Sequence, residues 1–190
     1  MKQERRAWQR RVRKVARRRF VFLDESGAQT HMKRLYGRMA KGQRLADTMP
    51  GGHWRTTTMI SAIRSGGVAT AMVTEGATDA TVFRGFVEHF LVPVLRRGDI
   101  VVMDNLSSHK VSGVREAIEQ QGAELWYLPP YSPDFNPIEQ AWSKVKSVLR
   151  AITPKTPQQL WRAVGVALRR VTPRECQNYI ANCGYLATSN

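Results

Sequence analysis

The pattern of apolar and polar positions predicts that the fold begins with three antiparallel strands. A short apolar run over 19–24 is typical of a buried central strand that ends at Asp24, whose side chain then faces a site. Residues 25–55 carry many glycines and are expected to be irregular, with only short strands or a hairpin. Two β-rich runs, over 56–63 and 68–74, flank a Ser-Gly-Gly turn and predict a hairpin that extends the sheet.

The second half of the chain alternates strands with helices. Apolar runs over 100–104 and 124–128 predict two more strands, and the first of these also ends in an aspartate, Asp104. Helix start signals, stop signals and apolar spacing predict helices over 78–95, 111–121, 137–150, 156–170 and 173–181. Antiparallel strands followed by βα units predict an α/β fold, a mixed five-stranded sheet flanked by helices.

The stretch over 126–146 joins the last predicted strand to a helix. The double proline at 129–130 ends the apolar run, and a stiff loop follows. Asn136 and Pro137 then form a strong helix start, because the Asn side chain caps free amide groups and Pro has no amide hydrogen to leave unpaired. Glu139 is therefore expected in the first helical turn, where a lone carboxylate could serve only the helix dipole. Its role depends on partners elsewhere in the chain.

Length and composition indicate a single domain that does not span a membrane. The chain has 190 residues, of which 42% are hydrophobic, enough to bury a real core. Every apolar run is shorter than the roughly 18 residues of a membrane helix, and the basic N-terminus lacks the apolar stretch of a signal peptide. Cys176 and Cys183 lie outside any Cys-x-x-Cys pattern, so we expect a reduced intracellular pair.

Positive charge is concentrated at the start of the chain. The formal net charge is +15, and residues 1–19 hold ten Lys and Arg against one Glu. This charge favours a polyanionic partner, usually nucleic acid, although a solvated basic tail has the same composition. Trp8, Val12 and Val15 recur at helical spacing and indicate a basic amphipathic helix. We therefore expect a basic N-terminal helix or linker over 1–19, ahead of a domain over 20–186.

Three carboxylates lie next to the ends of predicted elements. Asp24 and Asp104 end two apolar strands, and Glu139 opens the helix after the fifth. If the two strands are neighbours, both Asp side chains lie together and the helix can bring in Glu139. Clustered carboxylates repel one another unless a cation neutralises them, and oxygen ligands select Mg²⁺ or Mn²⁺. Two such ions, about 3.5–4 Å apart, are a known device for displacement at phosphorus, which indicates phosphodiester chemistry on nucleic acid.

Glu25 competes with Asp24 for the first of these positions. Neighbouring residues on a strand point to opposite faces, so only one of the two can belong to the site. The apolar alternation does not decide between them, and we prefer Asp24. Taken singly, an aspartate after an apolar strand is more often structural than catalytic.

Longer motifs around these carboxylates resemble a known family. Asp104 lies in Val-Val-Met-Asp-Asn-Leu-Ser-Ser-His-Lys. Glu139 lies in Pro-Pro-Tyr-Ser-Pro-Asp-Phe-Asn-Pro-Ile-Glu-Gln-Ala-Trp, with 34 residues between the two acids. With Phe-Leu-Asp-Glu-Ser-Gly around Asp24, the sequence closely resembles the DDE transposases of bacterial insertion sequences, in the branch related to the mariner superfamily.

The resemblance implies a ribonuclease H-like DDE catalytic domain over 20–186, in which Asp24, Asp104 and Glu139 bind Mg²⁺ or Mn²⁺, with two ions. It implies DNA strand cleavage at transposon ends and strand transfer into target DNA. It also implies a homodimer on DNA in the bacterial cytoplasm, at the nucleoid. Family members usually carry helix-turn-helix modules before the catalytic domain. We therefore expect either the second reading frame of a split element, with an upstream helix-turn-helix polypeptide of the same element as a partner, or a truncated copy.

Five further residues near these motifs have weaker expected roles. Asn105 is expected to orient the preceding carboxylate through a hydrogen bond. His109 and Lys110 could contact the scissile phosphate or steer DNA, although His109 could equally cap or pack in its loop. Lys146 follows the glutamate by two helical turns and could touch a phosphate. Tyr131 either stacks on a base or fills its loop, and we favour the second interpretation.

Two other functions stay open at the level of sequence. A ribonuclease H-like nuclease would cut DNA without strand transfer. A non-catalytic DNA-binding fragment of a split transposase would neither cut nor join. The complete set of three carboxylates favours an enzyme over the fragment.

Overall fold

The computed structural model describes residues 2–30, 32–33, 36–44, 46, 55–105 and 110–186. Its strands are β1 (Phe20–Gln29), β2 (Thr56–Arg64), β3 (Gly67–Glu75), β4 (Ile100–Met103) and β5 (Glu124–Tyr127). Its helices are α1 (Lys2–Val12), α2 (Ala80–Phe86), α3 (Val114–Gln120), α4 (Ile138–Ile152), α5 (Pro157–Arg169) and α6 (Pro173–Asn182).

All five strands form one mixed sheet in the order β3-β2-β1-β4-β5. β1 pairs with β2 and β2 with β3 in antiparallel fashion, whereas β4 is parallel to both β1 and β5. The predicted hairpin is present, and its turn is the pair Ser65–Gly66 between β2 and β3. The predicted fold class is therefore confirmed, and β1 and β4 are the neighbours that the carboxylate hypothesis requires.

β1 is longer than the sequence predicts. The strand does not end at Asp24, and the predicted irregular segment does not begin at 25, because β1 continues to Gln29. Antiparallel pairing with β2 holds this second half, with Gln29 opposite Thr56. Backbone pairing needs no apolar side chains, so the polar residues after Asp24 hide the strand from a search for apolar runs.

Helices cover both faces of the sheet and create two cores. On one face, Phe20 and Phe22 of β1 pack in the cluster that contains the apolar residues of α1, α4, α5 and α6. On the other face, Val21 and Leu23 pack with α2 and α3. The longest described helix, α4, has 15 residues, and no described helix is long and apolar enough to cross a membrane.

Two helices differ from their predicted extents. α2 gives way at Val87 to a wider π turn and then to a 3₁₀ turn over Val92–Val94, instead of running regularly to residue 95. Pro93 lacks an amide hydrogen and cannot continue the regular bonding, and Phe90, expected on the apolar face, is 42% exposed. α3 begins at Val114 rather than at 111, because Gly113 before it has a left-handed φ of 89°.

The basic helix α1 packs against the sheet. Trp8 and Val12 are buried in the same core as Phe20 and Phe22. The Trp8 ring meets Trp126 of β5 edge-on at 5.9 Å between centroids, and the Arg11 guanidinium lies 3.4 Å from the centroid of the Trp126 ring. The apolar stripe noted in the sequence is thus a core-facing stripe, which leaves Lys2, Arg6 and Arg10 exposed on the outer side of α1.

Candidate active site

Asp24, Asp104 and Glu139 line one open pocket with a volume of about 370 Å³. This volume lies in the range of small-ligand sites, about 300–1,000 Å³. The other residues of the wall are Asn105, Leu128, Pro129, Pro130, Tyr131, Ser132, Pro133 and Asn136. Residues that are widely separated in sequence therefore meet in one cavity, as the sequence analysis predicts for the three carboxylates.

The alternation of β1 explains why Asp24 rather than Glu25 reaches this pocket. Asp24 shares its strand face with Phe20 and Phe22, which pack on the α4 side of the sheet. Glu25 shares its face with the residues that pack against α2 and α3. Asp24 is 8% exposed and lies on the pocket wall, whereas Glu25 is absent from that wall. The preferred alternative of the sequence analysis is the one that the geometry supports.

The sheet register brings Asp104 beside Asp24. The parallel pairs between β1 and β4 run from Phe20 opposite Ile100 to Phe22 opposite Val102, and each aspartate lies two residues further along the chain. Asp104 is half-buried, and β5 continues next to it through the bond from the Leu128 amide to the Met103 carbonyl, at 2.9 Å. The middle of β1 and the carboxyl end of β4 thus bring the two aspartates to the pocket.

Glu139 reaches the pocket from the first turn of α4. The proline-rich loop, residues 129–137, leads from β5 to this helix and contains a 3₁₀ turn over Pro133–Phe135. The amide of Glu139 donates to the carbonyl of Asn136 at 3.2 Å, which fixes the backbone at the helix start. The Glu139 side chain is exposed to the cavity side, and it has no hydrogen bond or ion pair among the described residues.

Asn136 does not cap α4 as predicted. Its side chain makes no capping bond, because the backbone carbonyls of Asn136 and Pro137 already accept the amides of Glu139 and Gln140. Asn136 is only 4% exposed and lines the pocket, and within the described ranges its Oδ1 atom has no hydrogen-bond partner. A buried acceptor without a donor is costly, so this oxygen is available to a group that enters the pocket.

Contacts from α1 brace the proline-rich loop. The Arg5 guanidinium donates to Ser132 Oγ and to Asp134 Oδ1, both at 2.9 Å, and lies 4.4 Å from the centroid of the Phe135 ring. The bond from Arg5 holds the pKa of the Asp134 carboxyl below its usual range. The charge pattern of the N-terminus gave no sign of this contact, since the partners lie more than 120 positions apart.

A second, buried chain of hydrogen bonds connects α1 to the same loop. Trp8 Nε1 donates to the hydroxyl of Tyr185 at 3.2 Å, and that hydroxyl donates to the carbonyl of Phe135 at 2.8 Å. Burial raises the pKa of the Tyr185 hydroxyl, which therefore stays a protonated donor at neutral pH. The loop that precedes Glu139 is thus held by contacts from α1 near the N-terminus and from Tyr185 near the C-terminus.

Tyr131 does not fill its loop, so the favoured interpretation of that residue is wrong. The side chain is 90% exposed at the mouth of the pocket. Its backbone has φ of 52°, in the left-handed region, which costs a residue with a side chain about 1–2 kcal/mol. Pro130 and Pro133 restrict the loop backbone around this residue.

The remaining predicted site residues lie at different distances from the pocket. Asn105 is on the wall, next to Asp104. Lys110 is exposed, with its ammonium 5.7 Å from the centroid of the Tyr127 ring. Lys146 is half-buried on α4 and is not among the wall residues, and His109 lies outside the described residues.

The donor set suits a hard cation although no compact metal cage is formed. Among the residues that the structure describes, no three His, Cys, Asp or Glu side chains stand close enough to hold a metal ion. The side chains on the pocket wall that could bind a metal nonetheless offer oxygens of carboxylates, amides and hydroxyls, and one of these is the unpartnered oxygen of Asn136. Oxygen donors of this kind fit Mg²⁺ or Mn²⁺ and not a thiolate-preferring metal.

Solved structures of Mos1 transposase share this fold. The Mos1 transposase paired-end complex with left transposon end has a TM-score of 0.77 at 19% identity, over 96% of this chain and 57% of that chain. The Mos1 mariner paired end complex with Mn has a TM-score of 0.76 at 16% identity, over 96% of this chain and 58% of that one. The Mos1 transposase catalytic domain with Raltegravir and Mn has a TM-score of 0.68 at 17% identity, over 95% and 88%.

These likenesses confirm the predicted ribonuclease H-like fold. The chain spans less than three fifths of the length of the first two Mos1 chains. No curated protein matches it in sequence. The model of one family, described as DDE superfamily endonuclease, matches residues 19–160, a stretch that contains all three pocket carboxylates. Because this match covers most of the chain, the protein belongs to the DDE superfamily of endonucleases.

Proposed function

We propose that this domain is the catalytic domain of a transposase, which cleaves DNA strands at transposon ends and joins them to target DNA. The single observation that carries the proposal is the pocket that Asp24 in the middle of β1, Asp104 just after β4 and Glu139 in the first turn of α4 line together. Membership of the DDE superfamily supports the endonuclease part of the proposal. The shared fold with Mos1 transposase supports the transposition part.

In this proposal the three carboxylates would hold two divalent cations, and Glu139 is the most exposed of the three. The ions would neutralise the charge of the phosphodiester and of the leaving oxygen. In the first step water attacks phosphorus, the bond from phosphorus to the 3′-oxygen breaks, and that oxygen leaves as a 3′-hydroxyl with a proton from the water. In the second step the freed 3′-hydroxyl attacks a phosphorus of target DNA and gives up its proton, and the 3′-oxygen of the target strand leaves as the bond from it to phosphorus breaks.

The experiment that tests this function is a strand-transfer assay with a pre-cleaved duplex that carries the element's own terminal repeat. The protein is incubated with this duplex, a supercoiled plasmid and Mg²⁺ or Mn²⁺, and covalently joined products are separated on a denaturing gel. We expect joined products. Hydrolysis without joining would instead favour the nuclease alternative, and binding without hydrolysis or joining would favour the non-catalytic fragment.

A DNA partner is further supported by the outer side of α1. Its cation face comprises Lys2, Arg6, Arg10 and Arg13, which line one shallow groove together with Gln3 and Gln9. All four cations are exposed. Their spacing brings them onto one side of the helix, opposite the buried Trp8 and Val12. A row of exposed cations is suited to successive phosphates of a nucleic acid backbone.

Replacement of Arg6, Arg10 and Arg13 by Gln is expected to weaken DNA binding and to flatten its salt dependence. Each lost phosphate contact lowers the slope of log K against log salt by about 0.9 for duplex DNA. Fluorescence anisotropy of a labelled duplex at a series of salt concentrations measures both quantities.

A matched control removes the same charge elsewhere. Arg97, Arg162 and Arg174 are exposed and lie outside the cation face. Their triple replacement by Gln should change the salt slope less than the α1 variant does. Equal slopes for the two variants would show that net charge alone, and not the cation face, governs binding.

A further inference from the structure

We propose that Tyr131 is a stacking platform for an unpaired nucleobase next to the phosphate that occupies the carboxylate pocket. This inference rests on the proposed function, since it assigns the part of the pocket that the phosphodiester chemistry does not use. The starting observation is an aromatic side chain that is 90% exposed at the mouth of a polar site. The backbone that presents it has φ of 52°, which a residue with a side chain rarely adopts.

The pocket wall has two unlike parts. One part is polar and contains Asp24, Asp104, Glu139, Asn105 and Asn136. The other is apolar and consists of Leu128, Pro129, Pro130, Tyr131 and Pro133. A phosphate and its cations use only the polar part. A base attached to the same nucleotide would lie within reach of the apolar part, because base and phosphate are joined through one sugar.

Contacts on both sides of Tyr131 hold the loop in this shape. Ser132 Oγ donates to the carbonyl of Pro130 at 3.2 Å, which ties together the two neighbours of the tyrosine. Ser132 Oγ also accepts a hydrogen bond from Arg5 at 2.9 Å. Pro130 and Pro133 restrict the backbone further. The backbone that presents the ring is therefore held in this shape before a ligand arrives, which reduces the entropy that the loop loses on binding.

The ring lacks a partner within the described part of the chain. No aromatic ring or cation of those residues stacks on Tyr131, whereas Phe20, Trp126 and Tyr185 all have such partners. Burial of the ring in the core would stabilise the fold by removing apolar surface from water, but the ring is exposed instead. A flat ring that is held in solvent beside a phosphate site is the arrangement by which proteins stack on single-stranded bases.

The chemistry favours an unpaired base over a paired one. Within a duplex both faces of a base are covered by its neighbours, so a protein ring can stack only on a base at a strand end or one that has left the helix. Stacking of this kind tolerates any base, because every base has a π face. Tyr131 would accordingly position the strand at the reacting phosphate without reading its sequence.

The test uses a duplex with a short single-stranded overhang whose first unpaired base is 2-aminopurine, in buffer without divalent metal. Stacking quenches the fluorescence of 2-aminopurine, and anisotropy of a second label gives the Kd. We expect the wild-type protein and Tyr131→Phe to quench the probe. We expect Tyr131→Ala to lose the quenching and to bind the overhang about 5- to 150-fold more weakly, the range for loss of one base–aromatic stack.

Tyr131→Gly removes the ring and keeps the backbone conformation, because glycine adopts the left-handed φ without strain. Equal loss of quenching in the Gly and Ala variants, with unchanged binding of a blunt, fully paired duplex, supports stacking by the ring. Quenching by Tyr131→Ala at the wild-type level overturns the inference. If quenching depends on Tyr131 but the protein neither cleaves nor joins DNA, only the transposase function is contradicted. If the protein joins DNA but quenching does not depend on Tyr131, only the stacking is contradicted.

Discussion

Asp104→Asn is expected to lower metal-dependent DNA cleavage by at least about 10³-fold while the domain stays folded. Asn has nearly the shape of Asp, and position 104 is half-buried just beyond the end of β4, so the packing of the strand is preserved. The change removes one of the three carboxylate charges that line the pocket, and so weakens the binding of cations there. A loss of about 4 kcal/mol of transition-state stabilisation corresponds to this factor. Nicking of supercoiled plasmid measures cleavage, and thermal unfolding measures the fold.

Glu25→Gln is the matched control for this prediction. This substitution also removes one carboxylate charge, at a position next to Asp24. Glu25, however, lies on the opposite face of β1 and is not part of the pocket wall. We expect Glu25→Gln to cleave at close to the wild-type rate. Cleavage by Asp104→Asn at that rate would contradict the mechanism. A loss in Glu25→Gln as large as that in Asp104→Asn would mean that the wrong acid of β1 has been assigned to the pocket.

The choice between Asp24 and Glu25 illustrates how far the sequence leads. The apolar runs of β1 and β4 predict two strands that each carry a carboxylate, but only the structure shows that these strands are neighbours. A strand that is buried on both faces is apolar at every position, however, so its sequence does not reveal which face a given helix covers. Only the packing of α4 against the side of Phe20 and Phe22 decides that Asp24 is the pocket residue.

The proline-rich loop shows what local sequence rules miss. Asn136 before Pro137 has the form of a helix cap, but backbone carbonyls already satisfy the first turn, and the side chain turns into the pocket wall instead. Arg5 and Asp134 are an ordinary cation and an ordinary turn acid until the fold brings them together. Such contacts are set by tertiary packing and leave no periodic trace in the sequence.

Trp8→Ala is expected to reduce the free energy of unfolding by about 3–5 kcal/mol, the range for loss of a large buried aromatic side chain. Trp8 is 6% exposed, packs edge-on against Trp126 and donates a buried hydrogen bond to Tyr185. Its removal leaves a cavity between α1 and the sheet. It also deprives the Tyr185 hydroxyl of one of its two bonds, so that the support of the loop at Phe135 weakens. Urea unfolding followed by far-ultraviolet circular dichroism measures the change.

Trp161→Ala is the control for this last prediction, because Trp161 is 41% exposed and its loss removes less buried area. We expect the Trp161 variant to lose clearly less stability than the Trp8 variant. If α1 were a linker that hangs from the domain, Trp8→Ala would leave unfolding unchanged. A deletion of residues 1–19 cannot distinguish these cases, since it removes the core contacts of Trp8 and Val12 together with the cation face. The point substitutions separate the two sides of α1: Trp8→Ala acts on folding, and the arginine substitutions act on DNA binding.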